Sequence, residues 1–189
     1  MAVVFESDRN IILIGPSGAG KSSTGTALAG LLGWPCLDSD KHIETAAGKT
    51  IRLIFQEDGE PAFRKMENEL LDSLCHSSPT GLILACGGGL PVGGESAGAN
   101  LEKLKALGLT IYLTASVKTL AARIEAGEAE TRPLIGRLGN EAELKSRLTS
   151  LLSGRRAIYE KAHLTIDTEN KTVSEVAATI QRIVRKRTL

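Results

Sequence analysis

The chain has 189 residues, 42% of them hydrophobic, and its 23 basic and 22 acidic residues leave a formal net charge of +1. This length predicts one domain with a full hydrophobic core. The near-neutral charge and a content of one Trp, two Tyr and three Phe argue against a nucleic-acid-binding surface. No stretch is apolar for long enough to span a bilayer, and the first ten residues lack the pattern of a secretory signal, so we expect a cytoplasmic protein without membrane contacts.

Short apolar runs alternate with helical patterns along the chain. The first run, residues 11–14, reads Ile-Ile-Leu-Ile without polar alternation, which is typical of a strand covered on both faces. Apolar stripes with helical spacing lie between the runs, for example from Phe63 to Cys75 and from Val173 to Val184. The alternation predicts an α/β fold, with a parallel sheet between helices in one domain over residues 1–189. The predicted strands are residues 11–14, 34–37, 82–85, 110–113 and 164–166.

The segment after the first predicted strand matches the pattern G-x-x-x-x-G-K-[ST]. Residues 15–22 read Gly-Pro-Ser-Gly-Ala-Gly-Lys-Ser, and a helical pattern follows. Glycines let successive backbone N–H groups point at phosphate oxygens, and the start of the next helix adds positive potential. We expect Lys21 to be exposed in the empty site and to reach the β- and γ-phosphates of ATP, while the Ser22 hydroxyl binds Mg²⁺. The alternative is a glycine-rich turn with a chance lysine. The predicted ATP-binding residues here are Gly15, Gly18, Ala19, Gly20, Lys21, Ser22 and Ser23.

Two acids, Asp38 and Asp40, follow the second predicted strand. At a strand end one carboxylate can face a metal and the other the ligand crevice. Asp38 would then hold a water of the Mg²⁺ shell, and Asp40 would accept a proton from an acceptor hydroxyl. The alternative is an ordinary helix N-cap before the run that starts at Lys41. The residues alone leave both readings open, and the preceding P-loop favours the functional one.

Two further patterns are compatible with an acceptor site. Arg64 and Glu67 are three residues apart beside an apolar helical stripe, so they are neighbours, although a surface ion pair is the commoner outcome for such a spacing. Residues 87–89 are three consecutive glycines after the third predicted strand. They predict either a tight, flexible turn or a stretch whose N–H groups can approach an anion without obstruction.

Arginines occur in two later segments. Residues 127–139 contain three glycines, Pro133 and Arg132, which is compatible with a lid over the nucleotide and equally with an exposed flexible loop. The pattern over residues 143–161 predicts one continuous helix that contains Arg155 and Arg156. Adjacent residues cannot share one helix face, so we expect at most one of these two arginines to enter the site.

Together these elements resemble the shikimate kinase family over about residues 10–183. A P-loop is shared by many families, whereas the order and spacing of the other elements are more specific. The elements that carry the resemblance are the P-loop, Asp38-Ser-Asp40, Ile43-Glu…Gly48-Lys-Thr-Ile51…Ile54-Phe55, Gly59-Glu60…Phe63-Arg64…Glu67, Gly87-Gly-Gly89, Arg132-Pro-Leu134 and Arg155…Tyr159.

The resemblance implies ATP-dependent phosphorylation of shikimate to shikimate 3-phosphate, a step of aromatic amino-acid biosynthesis, with Mg²⁺ as cofactor. ATP and shikimate would be the partners of a cytoplasmic monomer. The implied fold is the three-layer P-loop kinase sandwich, a five-stranded parallel sheet with strand order 2-3-1-4-5. Lys21 and Arg132 would hold the transferring phosphate, and Ser22 directly and Asp38 through water would hold Mg²⁺.

The resemblance also implies the acceptor site. Asp40 would bind the shikimate hydroxyls and orient or deprotonate the attacking one. The shikimate carboxylate would be bound by Arg64, Arg155 and the glycine segment Gly87, Gly88 and Gly89. Glu67 would brace Arg64.

Two rival functions follow from the same residues. Another small-acceptor kinase, for gluconate or a nucleoside monophosphate, would share the P-loop, and gluconate also offers a carboxylate and hydroxyls. A nucleotide-binding module without turnover would need neither Asp40 nor an ordered acceptor pocket. The spacing of the residues around Arg64, the three glycines and Arg132 favours shikimate.

Overall fold

The computed structural model describes residues 10–94, 97–126 and 141–186. The predicted lid at residues 127–139, with Arg132, lies outside these ranges. The strands are β1 (Asn10–Ile14), β2 (Cys36–Asp38), β3 (Ile83–Ala85), β4 (Gly108–Thr114) and β5 (Leu164–Asp167). The helices are α1 (Lys21–Leu32), α2 (Ser39–Ala47), α3 (Ile51–Glu57), α4 (Gly59–Ser77), α5 (Ala99–Leu107), α6 (Val117–Ala126), α7 (Glu141–Ser153), α8 (Arg156–Tyr159) and α9 (Val173–Lys186), with a 3₁₀ helix at Leu90–Val92.

Within the described residues, the strands form one five-stranded sheet in the order β2-β3-β1-β4-β5. Every pairing is parallel, and in the register Ile12 of β1 lies opposite Leu84 of β3 and Thr110 of β4. This confirms the predicted sheet and its strand order. Because parallel strands end at one edge, the segments after β1, β2 and β3 lie together there, where α/β proteins bind ligands.

Alternate residues of β1 enter two separate cores. Ile11 and Leu13 pack in a cluster that includes residues of α1, α6, α7 and α9. Ile12 and Ile14 pack in a second cluster, with residues of α4, α5 and α8. Since successive side chains of a strand point to opposite faces, both faces of the sheet are covered. This double burial explains the unbroken apolar sequence of β1 and gives the three-layer arrangement.

A smaller core supports the region after β2. Ile43 of α2, Ile51 and Ile54 of α3, and Phe63 of α4 are buried against one another. The Phe55 and Phe63 rings lie 5.1 Å apart between centroids. This cluster holds α2 and α4 together, and both helices carry predicted acceptor-binding residues.

The prediction of one helix over residues 143–161 is wrong. Helix α7 ends at Ser153, and α8 starts separately at Arg156 after Gly154 and Arg155. Glycine in a helix interior costs about 1 kcal/mol relative to alanine, so Gly154 is a weak point where the helix can end. The break changes the direction of the chain immediately before Arg155. The second strand also begins later than predicted, at Cys36.

Among the described helices, none is both long and apolar enough to cross a membrane.

Candidate active site

The P-loop connects β1 to α1 and needs glycine for its backbone shape. Gly15, Gly18 and Gly20 have φ values of 139°, 81° and 87°, a region that residues with a Cβ avoid. Gly20 precedes α1 without a side-chain cap. Residues 18–24 line a cavity of about 430 Å³, so the first turn of α1 borders this space. A helix start of this kind attracts phosphate.

Lys21 is buried, so the expectation that it would be exposed is wrong. Its side chain folds back over the P-loop, and Nζ donates to the carbonyl oxygens of Gly15 and Pro16, each at 2.9 Å. These carbonyls hold the ammonium group beside the phosphate-binding loop. Only 8% of the residue is exposed.

Asp38 is a helix N-cap, one of the two readings that the sequence left open. Its Oδ1 accepts from the backbone N–H of Asp40 at 3.0 Å and of Lys41 at 3.2 Å, so it is the N-cap of α2. Asp38 and Ser22 also line the same cavity. A hydroxyl and a carboxylate oxygen are the hard donors that Mg²⁺ prefers, and Mg²⁺ usually keeps several waters and shares its shell with substrate phosphates. The donor set therefore fits Mg²⁺ bound together with a nucleotide.

Asp40 and Glu67 meet at the first glycine after β3. A Cβ at Gly87 would collide with Asp40 Oδ1 and would lie 3.2 Å from Glu67 Oε1. Glu67 is 2% exposed. Burial raises the pKa of Glu67 to about 7, the nearby charge of Arg64 opposes that rise, and Asp40 adds to it. We call the region around Asp40, Arg64, Glu67 and residues 87–89 the acceptor side. It contains two carboxyl groups in close proximity, and the pKa of one of them, Glu67, lies near neutral pH.

Arg64 is held by acids on its own helix. Nη1 donates to Glu67 Oε2 at 2.5 Å and Nη2 donates to Glu60 Oε1 at 2.7 Å. The reading as a surface ion pair is wrong, because Glu67 is buried. A Cβ at Gly89 would come within 2.7 Å of Arg64 Cζ, closer than real Cβ atoms approach other atoms. Arg64 therefore lies directly against the glycine segment.

The break after α7 brings Arg155 to the same segment. Arg155 Nη1 lies 3.7 Å from the position that a Cβ would take at Gly88. The hydroxyl of the buried Tyr159 donates to the Gly88 carbonyl oxygen. Arg156 points away: its side chain is 71% exposed and pairs with Glu160 at 2.7 Å. The prediction that at most one of the two arginines enters the site is confirmed.

We call residues 87–89 the glycine loop. The Leu90 N–H donates to the Gly87 carbonyl at 3.2 Å, so the segment is a turn. Its glycines all lie outside the positive-φ region. A Cβ at Gly87 or Gly89 would displace the end of the Asp40 or the Arg64 side chain, so glycine is what allows these two groups to lie against the loop. The loop is therefore crowded from two sides, unlike the flexible turn that was one reading of the sequence.

Two residues beside the site, Arg123 and Ser39, escaped the sequence analysis. Arg123 of α6 donates to Thr168 Oγ1 at 2.9 Å and to the Thr168 carbonyl at 2.7 Å, and both residues line the cavity beside the P-loop. Ser39 accepts the Gly87 N–H at 2.7 Å. In the sequence, Arg123 stands among the apolar residues of α6, which indicates that it lies near the core. This pattern does not reveal that Arg123 forms hydrogen bonds with Thr168. Nothing in the sequence identifies the partner of Ser39.

The cavity offers cations and carboxylates but no reactive thiol. Cys86 is buried beside it, and burial raises the pKa of the thiol, so the sulfur stays protonated. Glycines, Lys21 and a helix start suit polyphosphate, and two arginines beside two carboxyl groups suit a small acid with hydroxyls. The arrangement can bring both ligands to the same edge of the sheet.

Comparisons with known proteins agree with this geometry. A family model described as "Shikimate kinase" matches residues 17–185. A shikimate kinase of Thioalkalivibrio sulfidiphilus is 40% identical over 177 residues, which cover 93% of this chain and 87% of that protein.

Solved structures distinguish the family from its wider fold. A shikimate kinase of Acinetobacter baumannii in complex with shikimate has a TM-score of 0.85 and 36% identity, with 97% of each chain covered. A gluconokinase of Sinorhizobium meliloti has a TM-score of 0.56 and 18% identity, with 96% of each chain covered, and shares the fold alone. On the extent of the family match and the identity to its members, this chain belongs to the shikimate kinase family.

Proposed function

We propose that this chain transfers the γ-phosphoryl group of ATP to a hydroxyl of shikimate and yields shikimate 3-phosphate for aromatic amino-acid biosynthesis. The observation that carries the proposal is the meeting of Arg64, Arg155 and the glycine loop at the sheet edge that also holds the P-loop. The similarity to a shikimate-bound kinase supports this choice of acceptor.

The nucleotide would lie along the P-loop with its phosphates against the start of α1. The backbone of Gly15, Gly18, Ala19 and Gly20 would cradle the phosphates, and Lys21 would exchange its loop carbonyls for phosphate oxygens. Ser22 and Ser23 continue the same wall of the cavity. The part of the cavity lined by Arg123 and Thr168 is available for the rest of the nucleotide.

Mg²⁺ would be held by Ser22 directly and by Asp38 through water. When bound, the metal ion supplies positive charge to the phosphate oxygens. The chain positions these two residues through its own contacts: Ser22 lies in the first turn of α1, and the N-cap hydrogen bonds of α2 orient the Asp38 carboxylate.

The acceptor carboxylate would lie between Arg64 and Arg155, against the backbone of Gly87, Gly88 and Gly89. Two guanidinium groups facing one carboxylate give selectivity, because an uncharged ligand would gain weaker hydrogen bonds from them than a carboxylate does. Glu67 would hold Arg64 in place through the 2.5 Å contact. Asp40, on the neighbouring wall, would bind the acceptor hydroxyls.

Transfer would need little covalent participation by the protein. Phosphoryl transfer depends on in-line positioning and on cations near the developing charge. Asp40 would accept the proton of the attacking hydroxyl, and Lys21 would stabilise the charge on the transferring group. Arg132 would add a second cation; this role rests on the sequence pattern, since the residue lies outside the described ranges. We further propose that the enzyme acts as a cytoplasmic monomer, in the compartment that supplies ATP.

The test is an acceptor panel with the full chain, ATP and Mg²⁺. ADP release is measured with shikimate, gluconate, AMP and CMP, alongside the Asp40→Asn variant. We expect turnover with shikimate alone, and Asp40→Asn should lower kcat by about 10²-fold or more while it changes shikimate affinity less. Turnover with gluconate or a nucleotide but not with shikimate would contradict the acceptor assignment. Absence of turnover with every acceptor would favour a non-enzymatic nucleotide-binding module.

A further inference from the structure

The peptide groups of the glycine loop differ in whether the protein satisfies them. The Gly87 N–H donates to Ser39 Oγ at 2.7 Å, and the Gly88 carbonyl accepts from the Tyr159 hydroxyl. The Gly87 carbonyl accepts from the Leu90 N–H. By contrast, no acceptor within the described ranges takes the N–H of Gly88 or of Gly89. These two donors are therefore available to a ligand.

Tyr159 controls the direction of one of the two donors. The Gly88 carbonyl and the Gly89 N–H belong to the same peptide group, which is planar and trans, so they point in opposite directions. A hydroxyl that holds the carbonyl therefore aims the N–H away from itself. Gly89 is the glycine that contacts the Arg64 guanidinium, so this peptide group lies beside one of the two arginines of the proposed carboxylate site.

The second arginine lies close to the same residue of the glycine loop. Arg155 Nη1 is 3.7 Å from the position that a Cβ would take at Gly88, whose carbonyl oxygen accepts from the Tyr159 hydroxyl. The Tyr159 hydroxyl and the Arg155 guanidinium thus approach the glycine loop at one residue.

Packing alone does not explain this hydroxyl. Tyr159 is fully buried, in an apolar cluster, and its ring lies 5.2 Å from the ring of Tyr112 between centroids. A phenylalanine would preserve that ring contact. Burying a hydroxyl is costly unless it forms a hydrogen bond, so its presence in this core points to its partner at the site, the Gly88 carbonyl.

We propose that the Tyr159 hydroxyl is a positioning group for the acceptor: by holding the Gly88 carbonyl, it directs the Gly89 N–H toward the ligand carboxylate that Arg155 binds. The proposal rests on the proposed function in taking the ligand to be a hydroxylated carboxylic acid. It assigns Tyr159 no contact with the ligand. Its effect should appear in acceptor binding and in selectivity for the carboxylate.

The experiment compares Tyr159→Phe with the matched control Tyr112→Phe, which removes the other hydroxyl of the ring pair. Calorimetry gives the affinities for shikimate and ADP, and turnover is measured with shikimate and with its neutral carboxamide. In Tyr159→Phe, shikimate affinity and the preference for shikimate over the amide should each fall by about tenfold, with ADP affinity unchanged within about twofold. Tyr112→Phe should retain all of these values.

Two results would overturn the proposal. One is a shikimate affinity in Tyr159→Phe within about twofold of wild type; the other is an equal loss for the acid and the amide, which indicates a general packing defect. If wild type uses another carboxylate acceptor, the same comparison is made with that acid and its amide, so failure of the proposed function is seen separately.

If the Tyr159→Phe variant does not fold, a measurement on the unmodified protein tests the proposal instead. Amide hydrogen exchange of wild type should show the Gly89 N–H slowed by about tenfold when shikimate binds, and not when ADP alone binds. Unchanged exchange at Gly89 in the shikimate complex would overturn the proposal.

Discussion

The P-loop and the glycine loop both place glycines beside a ligand site, for different physical reasons. A Cβ at Gly20 would meet only Thr24 Oγ1, at 3.8 Å, but φ is 87° there, so conformation requires glycine. At Gly89 φ is −91°, which any residue adopts, but a Cβ would collide with Arg64. Gly15 and Gly18 combine both reasons, since a Cβ there would also collide with the carbonyl oxygens of Leu113 and Leu120. Between these two loops, positive φ is thus confined to the P-loop, whereas in the glycine loop close approach by distant side chains is the whole reason.

The largest effect should come from the nucleotide side. We expect Lys21→Met to lower kcat by about 10³-fold, or about 4 kcal/mol in the barrier, because an oriented cation at the transferring phosphate is lost. The melting temperature should fall as well, because the buried Gly15 and Pro16 carbonyls lose the donor that the buried Lys21 supplies. Turnover and circular dichroism melting measure both effects. A kcat within about tenfold of wild type would contradict the phosphate-site assignment.

The next largest effect distinguishes the acceptor side from the nucleotide side by their affinities for shikimate and ADP. Arg64→Ala and Arg155→Ala should each weaken shikimate binding by about 2–5 kcal/mol, because a buried carboxylate loses its charged partner. ADP affinity should be unchanged in both. Arg64→Ala should also lower the melting temperature, since the buried Glu67 loses its cation, and Arg155→Ala should lower it less. Parallel losses of ADP and shikimate affinity in calorimetry would show that the two sides are not separable.

The pH dependence of stability tests the burial of the acceptor side. The pKa of Glu67 is raised from 4.5 to about 7, so between these pH values the folded protein holds a proton that the unfolded chain has released. The contribution of protonated Glu67 to the free energy of unfolding is complete below pH 4.5, and it is lost as the pH rises to about 7. Relative to Glu67→Gln, the unfolding free energy of wild type should fall by about 2–3 kcal/mol across this window.

Urea titrations of wild type and Glu67→Gln at several pH values measure this difference. Glu69→Gln is the matched control, because Glu69 is on the same helix with its side chain 63% exposed. The control should follow the wild-type pH dependence. If Glu67→Gln follows it as well, Glu67 titrates as an exposed acid and the acceptor side is wetter than its geometry indicates.

The smallest expected effects test the two reasons for glycine directly. Gly20→Ala should cost about 1–2 kcal/mol of stability through backbone strain and should weaken ADP binding, with shikimate binding retained. Gly89→Ala should leave the backbone unstrained and weaken shikimate binding by about tenfold through displacement of Arg64. Calorimetry with both ligands gives the four affinities, and the reverse pattern would refute the distinction.

A double-mutant cycle sharpens the second half of that comparison. If the added methyl group acts by moving Arg64, Gly89→Ala should cost almost nothing further in an Arg64→Ala background. Additive losses of shikimate affinity in the double variant would mean that the methyl group blocks the ligand itself.

The sequence by itself determined the sheet and the phosphate site. The central strands β1 and β3 contain continuous apolar runs, and residues 15–22 form the P-loop from neighbours in the chain. Such features are readable because backbone conformation and side-chain period are local properties. The likeness to a family located Arg64, Arg155 and the three glycines before the geometry brought them together.

Tertiary structure alone decided how those acceptor residues are held. Tyr159 and Gly88 are 71 residues apart, and Ser39 and Gly87 are 48 apart, so no local pattern pairs them. The helix break at Gly154 and the burial of Lys21 and Glu67 likewise depend on what packs around each residue. A hydrogen bond or a desolvated charge is a property of two or more segments in contact, and the order of residues along the chain does not specify which segments meet.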